Sequence, residues 1–230
     1  MQKTREDIAK LIPLDLVCYK DLIMDSLRTA AIPVSPPKGV PGKQGTTKVL
    51  GQPDVPKDAS WRFQYLEDSP LDGLCFWMQI NLAEIPSQAR IGGVPKVGMV
   101  WLLIDCSSSS WKVIVHFDDR SSSHIEWMTP ERELPGKAIW TTCLMAPASI
   151  EAIDATGDAD LEVKYCDFAQ SLAQTYEKPY FGGYAFPIQS DEDDFRGTAV
   201  CSIPSSIADN ALIHLHYTAE KGWWGTIESH

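Results

Sequence analysis

The sequence predicts an α+β fold, mainly antiparallel β-sheet in two loosely repeated lobes, preceded by a helical N-terminal segment. Three observations carry that prediction. Apolar residues recur at three- and four-residue steps from Thr4 to about Arg28, through Ile8, Leu11, Ile12, Leu16, Tyr19, Leu22, Ile23 and Leu27, the spacing of one helical face. From Thr46 onward the texture changes to short apolar or alternating runs bounded by Gly, Pro and Ser, as strands and turns require. Two phrases also echo each other, KVLGQPDVP (Lys48 to Pro56) and YFGGYAFP (Tyr180 to Pro187). Their Gly51 and Gly183 stand 132 residues apart, and each phrase leads through a polar loop to an apolar strand holding a cysteine. A helical segment over about 4–30 and two related β lobes, about 46–128 and 138–230, follow within a single domain of 230 residues. A chain of this length buries about 70% of its unfolded surface and needs no metal or disulfide staple.

Taken in order, Thr4 and Asp7 make an N-cap pair and Pro13 ends or kinks the first helix, so a second helix is expected to run to about Ala30. The Pro- and Gly-dense stretch Ala30 to Gly45 reads as an extended connector. LCFWMQINL reads as a strand, and Met99 to Ile104, apolar on both faces, as a central one. After a serine-rich hairpin loop, Trp111, Val113, Val115 and Phe117 alternate with Lys112, Ile114, His116 and Asp118. Further strands are expected at Ala138 to Met145, Ile150 to Ile153, Thr198 to Ile203 and Ala211 to Tyr217, with a helix over Leu161 to Tyr176.

Charge is divided unevenly. Residues 1–115 carry 13 Lys/Arg against 12 Asp/Glu, and residues 116–230 carry 7 against 19, so almost all of the net −11 belongs to the second half. That excess repels phosphate backbones and excludes direct nucleic-acid binding, while it steers basic proteins toward that half. Glu6, Asp7 and Pro13 interrupt the start where a secretory leader needs an apolar run, and no stretch reaches transmembrane length, so a cytoplasmic protein with no membrane partner is expected. The six cysteines have no C-x-x-C pair, and Cys75 and Cys106 read as ordinary buried thiols.

The phrases TTKVLGQPDVPKDASW, PLDGLCFWMQINLAEIP and VPKVGMVWLLID are similar to those of the YwqG-like family, bacterial domains of uncharacterised biochemical function. Lys48, Gly51, Pro53, Pro56, Trp61, Pro70, Leu71, Gln79, Ile80, Asn81, Leu82, Pro95 and Gly98 fill the family's places, and Gly182, Gly183, Tyr184, Ile188 and Gln189 fill its later G-G-Y-x-x-x-I-Q element. Leu50 stands where the family has glycine, and Arg62 where it has proline. The resemblance implies an α+β fold dominated by antiparallel strands. It also implies a class of work, since related domains occur beside bacterial toxin genes as candidate immunity proteins, including those against type VI secretion effectors.

Few residues suggest chemistry of their own. Gln79 and Asn81, two apart in a strand, share one face and are the candidate ligand-binding pair, with satisfaction of loop backbone groups as their structural role. His214 and His216 share another face and read as partly exposed strand residues; two histidines without a third ligand do not make a metal site. There is no G-x-S-x-G, no H-E-x-x-H and no phosphate-cradling glycine loop. The consecutive carboxylates Asp191, Glu192, Asp193 and Asp194 diverge rather than converge on a metal. No catalysis, cofactor or metal is expected.

Binding suits the acid run better. With Phe195 as an apolar anchor, and Trp223 and Trp224 as a second one, it forms the candidate partner-binding surface. The expected function is that of a cytoplasmic immunity protein neutralising a toxin with a basic surface, a nuclease such as a DNase being the favoured class. The alternative is a small-ligand-binding or scaffold domain without catalysis.

Overall fold

The computed structural model describes residues 3–34, 43–49, 52–60, 74–105, 112–128, 138–173, 179–184, 199–205 and 211–228. These form four α-helices and ten strands. The chain is α+β, with antiparallel sheets and a helical start.

Helix α1 (Arg5–Leu11) opens on a capping box, in which the Thr4 hydroxyl accepts from the Asp7 N–H at 3.1 Å and the Asp7 carboxylate accepts from the Thr4 N–H at 3.0 Å. Those bonds hold the Asp7 carboxyl below its usual range. Pro13 cannot continue the helix, so a 3-10 turn, Leu14–Tyr19, intervenes before α2 (Lys20–Ser26). The Arg5 guanidinium donates to the Met24 and Leu27 carbonyls, returning the start of α1 to the end of α2.

Where a helix to Ala30 and then a connector were expected, the chain instead enters strand β1 (Arg28–Val34). This strand lies inside the larger sheet, paired antiparallel with β6 (Ile139–Met145) on one side and β7 (Tyr180–Gly182) on the other. Pro33 pairs with Trp140, beyond the Ala30 and Ala31 pairs with β7, so the residue that reads as a strand breaker sits where the ladder is one-sided.

The remaining strands form two meanders. Strands β2 (Lys48–Val49), β3 (Leu74–Asn81), β4 (Met99–Asp105) and β5 (Lys112–Asp118) make a four-stranded sheet in chain order. Strands β7, β8 (Ala199–Ser205), β9 (Ala211–Thr218) and β10 (Gly222–Glu228) repeat that order, and β1 and β6 complete a six-stranded sheet, β10-β9-β8-β7-β1-β6. The echoed phrases therefore lead corresponding strands, β2 with β7 and β3 with β8. Strand β10, which carries GWWGTIE, was not anticipated.

Alternation along β4 explains its apolar character. Val100, Leu102 and Ile104 enter a core shared with Ala31, Phe181, Ile213 and Leu215 of the six-stranded sheet. Met99, Trp101 and Leu103 enter a second cluster with Val55 and Ile125 on the other face. The sheets pack closely where β10 meets β5: a Cβ added at Gly225 would lie 2.3 Å from a Val113 methyl. The helices gather around Leu144, at the end of β6, and Ala146 just beyond it. There Glu151–Asp154, expected as part of a strand, forms a short helix α3, and α4 (Ala159–Ala173) buries Tyr165, Phe168, Ala169 and Leu172 against Ile8, Leu16 and Ile23. Three apolar positions over Ile150 to Ile153 satisfy either period, and length alone does not decide between them.

Candidate functional site

Gln79 and Asn81 do share a face, on the side of β3 away from the inter-sheet core. Both are buried, against Gly45, Thr46 and Asp54. Gln79 Nε2 donates to the Thr46 carbonyl at 2.6 Å and to Asp54 Oδ2 at 2.9 Å, and its Oε1 accepts from the Asp54 N–H at 2.7 Å. Asn81 Nδ2 donates to the Gly45 carbonyl at 2.7 Å and to Ser122 Oγ at 3.1 Å, while its Oδ1 accepts from the Ala83 N–H at 3.1 Å. Every side-chain N–H of the pair is thus spent on the protein, which leaves no amide donor for a ligand.

The centre of this cluster is Asp54, which sequence reasoning missed. Its carboxylate faces Lys48 Nζ at 2.5 Å, with both side chains buried, and also accepts from the Gly45 N–H at 2.8 Å. Trp101 Nε1 donates to the Asp54 carbonyl at 3.0 Å. A buried lysine beside one carboxylate is tolerable only with this degree of hydrogen bonding. The available signal was the phrase KVLGQPDVP, which carries both charges; their pairing depends on Lys48 and Gln79 lying opposite each other on β2 and β3.

The β9–β10 hairpin is the second locus. His214 and His216 are buried rather than partly exposed. Burial dominates their chemistry: it lowers the His214 imidazole against the pull of Glu228, 3.4 Å away, and with His214 and Lys221 nearby it takes His216 down to about 4. Both are neutral at neutral pH. His216 Nε2 lies 2.8 Å from Thr226 Oγ1, and its ring stacks on Trp224 at 5.1 Å, with Lys221 Nζ 4.2 Å over the indole. Among the described residues no group of three His, Cys, Asp or Glu could hold a metal.

The two tryptophans diverge. Trp223 packs on the inter-sheet core against Phe117 at 5.8 Å and Tyr217 at 4.9 Å, whereas Trp224 lies with the histidines on the opposite face. They do not form a joint anchor. Asp191 to Asp194 and Phe195 lie outside the described residues.

Thiol chemistry is discouraged at two positions. Burial pushes the Cys143 thiol up to about 11, and burial with Asp167 raises Cys166, so neither is a thiolate at neutral pH. Cys75 is half-buried rather than fully enclosed.

Residues 47–226, from the buried loop to strand β10, match the model of a family described as "Domain of unknown function (DUF1963)". The chain belongs to this family. The DUF1963 match takes in both meanders and the Lys48–Asp54–Gln79–Asn81 cluster, and it begins after α1, α2 and β1. No curated protein matches the sequence. Among the described residues of this DUF1963 protein, no helix is long and apolar enough to cross a membrane.

Proposed function

We propose that this chain is a cytoplasmic immunity protein of the YwqG-like kind, which neutralises a secreted bacterial toxin by stoichiometric binding and performs no catalysis. The observation that carries the reading is the charge division, 7 Lys/Arg against 19 Asp/Glu over residues 116–230. Nuclease toxins present cationic grooves because their substrates are polyanions. An acidic protein of this kind approaches such a groove with electrostatically steered association and needs no catalytic groups of its own. The Gln79/Asn81 pair, whose amide donors are all spent on the protein around Asp54, gives the small-ligand alternative no free donor. The sequence resemblance to the YwqG-like family supplies the class of work, immunity against bacterial toxins, type VI secretion effectors among them.

The test is co-purification with the products of neighbouring genes. Wild-type chain is compared with a variant carrying Asp191→Asn, Glu192→Gln, Asp193→Asn and Asp194→Asn. Capture of a toxic nuclease by the wild type, with association slowed by roughly tenfold or more in the variant, is the expected result. Failure to bind any neighbouring product would overturn the proposal. Retention of the complex by the variant at unchanged rate would remove the acid run from the interface.

A further inference from the structure

Lys48 and Asp54 hold a nucleophile against an acyl group, and the proposed function uses neither. Among the described residues three lysine ammoniums lie 2.5 Å from a carboxylate oxygen, and their surroundings differ. The side chains of Lys57 and Glu126, and of Lys164 and Asp15, are roughly half exposed or more, so water solvates both pairs. Those of Lys48 and Asp54 are 2% and 0% exposed. Distance therefore does not set this pair apart; dryness does.

The two oxygens of Asp54 are also used differently. Oδ1 faces Lys48 Nζ, while Oδ2 accepts from the Gly45 N–H at 2.8 Å and from Gln79 Nε2 at 2.9 Å. Two fixed donors on one oxygen stabilise the oxyanion that develops when the adjoining carbon is attacked. Asp54 is held in place from both sides of its backbone, its N–H donating to Gln79 Oε1 at 2.7 Å and its carbonyl accepting from Trp101 Nε1 at 3.0 Å. Lys48 is fixed by its pairing with Gln79 across β2 and β3. Groups held in reacting geometry behave as if at about 10⁵–10⁸ M. Burying a charge on each partner is costly, whereas a neutral amide in their place would keep the two donors already on Oδ2.

The geometry points to an intramolecular isopeptide bond between Lys48 Nζ and Asp54 Cγ, formed by the folded chain itself. A proton passes from Nζ to Oδ1 across their 2.5 Å contact, and the amine lone pair then attacks Cγ. Charge gathers on Oδ2, between the Gly45 N–H and Gln79 Nε2. A second Nζ proton moves to Oδ1 as the Cγ–Oδ1 bond breaks, and Oδ1 leaves as water. One C–N bond forms, one C–O bond breaks and nothing is oxidised or reduced, so no co-reactant is required. The bond staples Asp54 to the two-residue edge strand β2. It forms once per chain, and it is independent of the proposed function.

Intact-mass spectrometry of the full chain in denaturant, beside Lys48→Met and Asp54→Ala, tests this directly. The wild type is expected to be lighter than its sequence mass by one water, and both variants to have their full sequence masses. Trypsin cuts after an unmodified lysine, so the linked chain should yield residues 44–57 as one peptide, lighter by one water, in place of 44–48 and 49–57. The wild-type mass and digest decide the matter even if a variant does not fold. Full sequence mass with cleavage after Lys48 would overturn the inference. So would a missing water that persists in Lys48→Met while the wild type is still cut after Lys48, because that pattern marks an aspartyl succinimide.

Discussion

Asp54 receives a lysine ammonium, a backbone N–H and an amide N–H on one buried carboxylate, so its removal strands Lys48 without a counter-charge. Asp54→Ala is expected to destabilise the fold by about 3–5 kcal/mol in urea unfolding. Lys48→Met should cost a comparable amount alone, and the double variant less than the two singles combined; additivity would mean that the pair is not coupled. That Gln79 and Asn81 face one way was legible from the two-residue period of a strand. Their partners were not, because Asp54 meets Gln79 across 25 positions of sequence and only the β2–β3 pairing brings them together. His216 supplies a second test. Its imidazole is held down to about 4 in the fold, against an ordinary 6.5. The unfolded chain therefore takes up a proton that the native state refuses, and stability is present above the ordinary value and lost as pH falls from 6.5 toward 4. His216→Gln should flatten the dependence of the urea midpoint on pH between about pH 7 and about pH 5; an unchanged slope would show that His216 does not titrate differently in the two states. His214, also lowered, retains its own share of that slope.

Among the elements, those with a strong period were readable and those decided by neighbours were not. The two-faced strand β4 was evident because both of its faces are apolar, and each turned out to have its own cluster. Strand β1 was hidden by Pro33 and by the helical residues just before it; its pairing with β6 and β7 overrides the local signal. The glycines of β10 concealed that strand, yet Gly225 is what lets it approach β5. Gly225→Val would force a side chain into Val113 and Val115, which are stiff at χ1. The expected loss is about 1–3 kcal/mol, read from denaturant midpoints, and wild-type stability in that variant would contradict the packing of β10 on β5. Gly182, in the later glycine pair, has φ +76 and approaches the Ala89 carbonyl where a Cβ would be 2.3 Å away. Gly182→Ala should be more damaging than a substitution at open Gly157, because at Gly182 the obstruction is backbone.

At the scale of the whole molecule, the two meanders share an apolar core, the Lys48–Asp54 pair is buried on the other face of β3, and the second half of the chain carries the acid. The charge division was legible by counting; the exposure of Leu11 and Leu22 was not, because they fit the same helical period as the buried residues beside them. If a basic toxin is the partner, its association rate should fall steeply between about 50 mM and about 300 mM salt, as exposed charges are screened, with dissociation changing less; a salt-independent rate would argue against steering. The most direct test of neutralisation is to titrate the chain into the nuclease activity of a toxin that co-purifies with it. Binding without turnover predicts a linear fall to full inhibition at one equivalent of chain. Inactivation by substoichiometric amounts, or full nuclease activity at excess chain, would contradict it.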